Sequence, residues 1–105
     1  MDNRVPGSSS LDEAFKALAS AQRREILRFL GEASRSDADK ECCGPAEVCA
    51  CKLGEHLGLA ASTISHHMNV LRRAGLVHGR KEGLWTYYTL DRDALQQVAS
   101  ELSGL

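Results

Sequence analysis

Apolar residues recur at helical spacing in five windows of this chain and at strand spacing in two short runs. Leu11, Ala14, Phe15, Leu18 and Ala19 fall at i, i+3, i+4, i+7 and i+8, the stripe of one amphipathic helix. Ser10 and Glu13 have the S-x-x-E spacing of a capping box and predict its start. After a break near Ser20-Ala21, a second helix is predicted over about 22–35. Its apolar face is Ile26, Leu27, Phe29, Leu30 and Ala33, with Arg23, Arg24, Arg28 and Glu32 around it. The stretch 36–46 loses the period and carries Gly44-Pro45, which predicts an irregular loop. Residues 1–9, with Pro6, Gly7 and three serines, predict a disordered arm, leaving 10–105 as one domain.

The next two windows form a unit. A helix is predicted from about Ala46 to Leu57, with Cys49 and Cys51 in its opening turn. Gly58-Leu59-Ala60 breaks it, and a further helix follows over about 61–74, stopped by Gly75. Two helices joined by so short a Gly-containing turn make a helix-turn-helix, whose second helix can enter the DNA major groove. Ile64, Met68 and Leu71 mark that helix's inner face, and His67 falls on the same side as a packed, hydrogen-bonded histidine. Ser62, Thr63, Ser65, His66 and Asn69 are left to point outward, towards base edges.

Beyond Gly75 the period changes to that of strands. Leu76–Lys81 and Trp85–Leu90 flank a Glu82-Gly83-Leu84 turn and predict a hairpin, the wing of a winged helix. Asp91 is a good N-cap for a last helix with an Ala94, Leu95, Val98, Ala99 and Leu102 stripe. The predicted fold is therefore mainly α, about five helices plus a two-stranded wing. The apolar stripes of the first and last helices point to a homodimer, with a purely intramolecular core as the alternative.

Composition narrows the reading. A chain of 105 residues with 43% hydrophobic and 26% charged residues is an ordinary globular domain. No apolar run approaches a membrane span and the N-terminus shows no apolar signal region, so the expected setting is the cytoplasm, without membrane contact. The net charge of -1 does not by itself point to DNA. Its distribution does: residues 61–92 carry five Lys/Arg (Arg72, Arg73, Arg80, Lys81, Arg92) against two acids, Glu82 and Asp91. That excess follows the second helix of the motif, where phosphates would be met, and assigns Arg72, Arg80 and Lys81 to the DNA contact.

Three segments resemble the arsenic-repressor (ArsR/SmtB) family of bacterial winged-helix metal sensors: EVCAC at 47–51, STISHHMNVLRRAGLV at 62–77 and RKEGLWTYYTL at 80–90. The resemblance covers about residues 11–102. It implies a homodimer that represses a resistance operon from a palindromic operator and leaves it when a toxic metal or metalloid binds. A Cys-x-Cys at this position resembles the arsenite/antimonite and cadmium/lead branches. This chain departs from the family in three ways. Gly54 stands where arsenic-sensing members often carry a third cysteine. Ala60 stands where a Ser or Thr usually caps the second helix. The last helix has no histidine, so the family's zinc site there is not expected.

Four thiols, Cys42, Cys43, Cys49 and Cys51, fall within ten residues. In a cytoplasmic protein they point to metal or redox chemistry rather than structural disulfides. Thiolate is a soft ligand. Trivalent arsenic or antimony takes three sulfurs in a pyramid; cadmium, lead or zinc can use three or four. Residues two apart on a helix are rotated by about 200°, so gripping one ion with Cys49 and Cys51 is expected to unwind the support helix. The leading expectation is an As(III)- or Sb(III)-released repressor needing no resident cofactor. Open beside it stand a Cd, Pb or Zn sensor, a structural zinc staple and a thiol redox switch. A thiol oxidoreductase or arsenate reductase is disfavoured: there is no C-x-x-C, anion loop or βαβ pattern.

Overall fold

A computed structural model describes residues 8–35 and 47–105. The N-terminal arm over 1–7, the 36–46 loop, and with it Cys42 and Cys43, lie outside the described residues. Helix α1 spans Ser8–Leu18 and α2 spans Ala21–Arg35. The first helix begins at Ser8, two residues ahead of the predicted cap at Ser10, so Ser8 and Ser9 belong to the helix rather than the arm. Ser20 caps α2, its hydroxyl accepting from Arg23 N at 3.3 Å.

The predicted helix from Ala46 starts later than expected. Val48–Cys49 form a two-residue strand, β1, and only Ala50–Leu57 are helical, as α3. The reason is tertiary. Strand β3 (Trp85–Leu90) pairs with β2 (Val77–Glu82) along one edge, and its other edge would otherwise expose unpaired backbone. Val48 and Cys49 cover it, opposite Tyr88 and Tyr87, giving an antiparallel sheet of order β1-β3-β2 in place of a bare hairpin.

The remaining elements agree with the pattern. Helix α4 spans Ala61–Arg73 and α5 spans Arg92–Ser103, capped by Asp91, whose carboxylate accepts from Ala94 N at 2.9 Å. Gly58 (φ 67°) ends α3 and Gly75 (φ 79°) follows α4, both left-handed positions that a side chain would strain. One core joins the layers: Ile26 and Leu30 of α2, Leu53 of α3, Ile64, Met68 and Leu71 of α4, and Leu76, Val77 and Tyr88 of the sheet. The support and recognition helices thus share one packed interior with the wing. Of the stripe on α5, Val98 is buried, whereas Ala99 and Leu102 remain exposed. No helix among the described residues is long and apolar enough to cross a membrane.

Candidate functional site

The outer face of α4 is polar. Ser62, Ser65, His66 and Asn69 are exposed and Thr63 is half-buried, while Ile64, Met68 and Leu71 are at most 1% exposed. Ala60, in the capping position, offers no side-chain bond, so α4 lacks a side-chain cap, a deficit of about 1 kcal/mol. Arg72 donates to Asn69 Oδ1 at 3.2 Å, which ties two of the predicted DNA-contacting residues together on that face.

His67 holds α4 against the first two helices. It is 8% exposed; its Nε2 donates to Gln22 Oε1 at 2.9 Å and its Nδ1 accepts from Arg23 Nη1 at 3.3 Å. Arg23 also donates to the carbonyl of Ala17 at 2.9 Å. An amide oxygen only accepts and a guanidinium only donates, so the ring is neutral, protonated on Nε2. Burial first, then Arg23 and His66, hold its pKa below the ordinary 6.5. The folded protein therefore resists a proton that the unfolded chain accepts. This contribution to stability is complete above pH 6.5 and shrinks as the pH falls through that value. Glu25, Glu47 and Asp91, held below their ordinary 4.5, 4.5 and 3.8, act only at lower pH. Thermal unfolding is expected to show a fall in Tm between about pH 7.5 and 5.5. His67→Gln should flatten that slope; an unchanged slope would remove His67 as its source.

The wing is less basic than its sequence. Arg80 donates through Nε and Nη2 to both oxygens of Glu47 (2.8 and 2.9 Å) and through Nη1 to Glu82 (2.6 Å). Its guanidinium lies over the Tyr87 ring, 4.8 Å from the centroid. Three of its five N–H groups are thus used and its charge is offset by two carboxylates. Lys81 beside it is exposed. No sequence pattern marked Glu47: Glu47-Val48-Cys49 does not alternate, and Val48 and Cys49 are both buried.

The thiols are already together. Cys49 is the N-cap of α3 with extended backbone (φ -68°, ψ 141°), and Cys51 is the second helical residue. Their sulfurs lie 2.8 Å apart, within hydrogen-bonding reach. The expected unwinding of the support helix is therefore unnecessary for this pair: the 200° separation holds only between two helical residues, and Cys49 is not one. Cys49 is buried and Cys51 exposed, both unpaired by disulfide. The neighbouring Cys49 sulfur pushes the Cys51 thiol above its ordinary 9.0, burial and Glu55 add to this, and the Lys52 backbone N–H opposes it.

Gly54, where the resemblance implies a third cysteine in arsenic-sensing members, leaves only tight space for a side chain. A Cβ there would lie 3.2 Å from the Leu59 carbonyl oxygen, with Ile64 next at 3.9 Å. The turn of the helix-turn-helix packs directly on this glycine. Among the described residues, no group of three His, Cys, Asp or Glu side chains converges in a way that could hold a metal. The pair supplies two sulfurs, and Cys42 and Cys43, the candidates for a third, lie outside the described residues. Two other histidines have partners away from the thiols: His56 stacks on Phe29 at 4.3 Å and meets Glu25 at 3.0 Å, and His78 meets Asp91 at 2.8 Å.

A sheet-backed helix-turn-helix with a polar outer face on its second helix defines a winged-helix DNA-binding regulator. The family described as bacterial regulatory protein, arsR family, matches residues 43–78. An arsenic resistance transcriptional regulator of Pseudomonas putida is 32% identical over 98 residues, 88% of this chain and 77% of that protein. An arsenical resistance operon repressor of Staphylococcus aureus is 38% identical over 79 residues, 74% of each chain. A homodimeric winged helix-turn-helix DNA-binding domain from Mycobacterium bovis, 23% identical, shares the fold with a TM-score of 0.67 over 98% of this chain and 88% of that one. The chain belongs to the arsR family of bacterial transcriptional regulators.

Proposed function

We propose that this protein is a cytoplasmic homodimeric repressor that leaves a palindromic operator when its thiols bind trivalent arsenic or antimony. The observation that carries the reading is the 2.8 Å approach of Cys49 and Cys51 at the junction of sheet and support helix. Two soft ligands are prearranged there, one element away from the recognition helix. Cys42 and Cys43 supply the third sulfur in this reading, since Gly54 has no side chain to offer. The arsenical-resistance relatives support the same input.

The chemistry suits a metalloid. Arsenous acid condenses with three thiols: three As–O bonds break, three As–S bonds form, three waters leave and no proton is released. The thiol protons leave in those waters. A divalent ion must first expel those protons.

On DNA, Ser62, Thr63, Ser65 and His66 read base edges and Asn69 and Arg72 flank them. Lys81 meets phosphate as a charge, and Arg80 does so through its two remaining N–H groups. The site is a regulatory one, with binding and release as its whole output, and no enzymatic turnover is assigned to it.

The test is a titration of protein bound to a duplex that the wild type has selected from random sequence. Arsenite, antimonite, cadmium, lead, zinc and peroxide are added in turn. Release is expected with arsenite and antimonite at the lowest concentrations, without an oxidant, and reversed by a competing dithiol. Release by cadmium, lead or zinc alone would assign the scaffold to a divalent ion. Release by peroxide alone would make it a redox switch.

A further inference from the structure

Cys49, Tyr87 and Arg80 lie in one row across the sheet. Cys49 stands opposite Tyr87 and Tyr87 opposite Arg80. Directly opposed residues share a face of a sheet, and Glu47, two positions before Cys49 in extended chain, falls on that face too. Two strand spacings of about 4.8 Å separate the thiol-bearing residue from the wing arginine. Across that gap the Glu47 carboxylate grips the Arg80 guanidinium at 2.8 and 2.9 Å. The Glu47 side chain is only 18% exposed, so its partner matters more than that of a fully solvated carboxylate.

We propose that the Glu47–Arg80 pair is a latch that couples the thiol site to the wing. The latch is closed in the DNA-binding arrangement and opens when the thiols are ligated. This rests on the thiol-sensor reading above. Strand β1 is two residues long and pairs only through Val48 and Cys49. The ion pair reaches past β3 to Arg80 on β2 and so adds a second tether to this short strand. Cys49 is both the last residue of that strand and a ligand. Drawing it into a shared pyramid with Cys51 and a further sulfur loads the strand at the end opposite the latch.

Arg80 also has a second partner. Glu82, on its own strand and 70% exposed, holds it at 2.6 Å. When Glu47 withdraws, the guanidinium keeps one carboxylate and its stacking on Tyr87, so opening strands no buried charge. That gives the element two discrete arrangements, as a switch requires. Glu47 and Arg80 are positioning residues here, acting on DNA through the wing and on the ligand through β1.

Glu47→Gln keeps the side chain's size and removes its charge. Operator affinity without arsenite is expected to fall, and arsenite affinity of the DNA-free protein, read from arsenic–thiolate absorbance, to rise. Coupling between two sites is reciprocal, and its usual span is roughly 5–150-fold. The exchanged pair, Glu47→Arg with Arg80→Glu, should return arsenite affinity towards wild type, which a general loss of folding could not do; its operator affinity stays low because Arg80 also meets phosphate. Weaker operator binding with unchanged arsenite affinity would reduce the pair to a brace for the wing and overturn the latch. No change in either affinity would overturn it as well. If the wild type itself keeps its operator in arsenite, the thiol-sensor reading fails and the latch with it.

Discussion

Replacing Cys49 and Cys51 together by serine is expected to leave the protein on its operator at arsenite concentrations that release the wild type. Serine has nearly the size of cysteine, and its hydroxyl can replace the hydrogen bond between the two sulfurs. Fold and reading head should therefore be preserved, with operator affinity unchanged to within about twofold, the range of mild substitutions. A hydroxyl is a hard, poorly ionised ligand, so two of the three sulfurs that trivalent arsenic needs are gone. Loss of an outer-shell partner alone commonly costs about 10–100-fold in affinity. The arsenite midpoint should move by more than that. Each single serine variant should fail in the same direction, because the 2.8 Å pair acts as one bidentate unit. Anisotropy of labelled operator during an arsenite titration gives the midpoint. A double-serine protein that leaves DNA at the wild-type concentration would place the sensor elsewhere.

What the sequence reveals and conceals follows from the range of the interactions. Ile64, Met68 and Leu71 disclose the inner face of α4 because a helix repeats locally and burial follows the repeat. His67 is legible for the same reason: its position fixes its side, and a buried imidazole must find partners. Asp91 is legible as a cap because the bond it makes is to Ala94, three residues on. Strand β1 is hidden. Two residues carry no period, and the edge that recruits them, Tyr87 and Tyr88, lies far along the chain. Everything that depends on β1 is hidden with it. The convergence of the thiols requires an extended Cys49, and the Glu47–Arg80 pair joins residues 33 apart. Opposite charges at such separations are common in any sequence, and nothing local selects this pair. The start of α1 is ambiguous for a different reason: Ser8, Ser9 and Ser10 are equally good capping residues.

Leu102→Asp is expected to convert the proposed dimer to a monomer and to abolish tight operator binding. Leu102 is 50% exposed on α5 and Phe15 is 37% exposed on α1, so each helix leaves apolar surface that its own chain does not cover. The buried part of the α5 stripe, Val98, already belongs to the core and needs no partner. In a two-fold interface the substitution appears twice, and each carboxylate would have to be desolvated against an apolar face. That cost falls on the dimer alone, because the side chain is half in solvent in the single chain and the fold does not depend on it. On DNA the consequence is large. Two recognition helices about 34–36 Å apart read two half-sites one turn of B-DNA apart, and a monomer reads one. Losing only two base contacts at about 1.4 kcal/mol each already weakens binding by roughly a hundredfold. Phe15→Asp should act in the same direction from the other helix. Sedimentation gives the oligomeric state, operator anisotropy the affinity, and an unchanged circular dichroism spectrum shows that the chain still folds. A Leu102→Asp protein that still sediments as a dimer and holds its operator would move the interface away from the first and last helices.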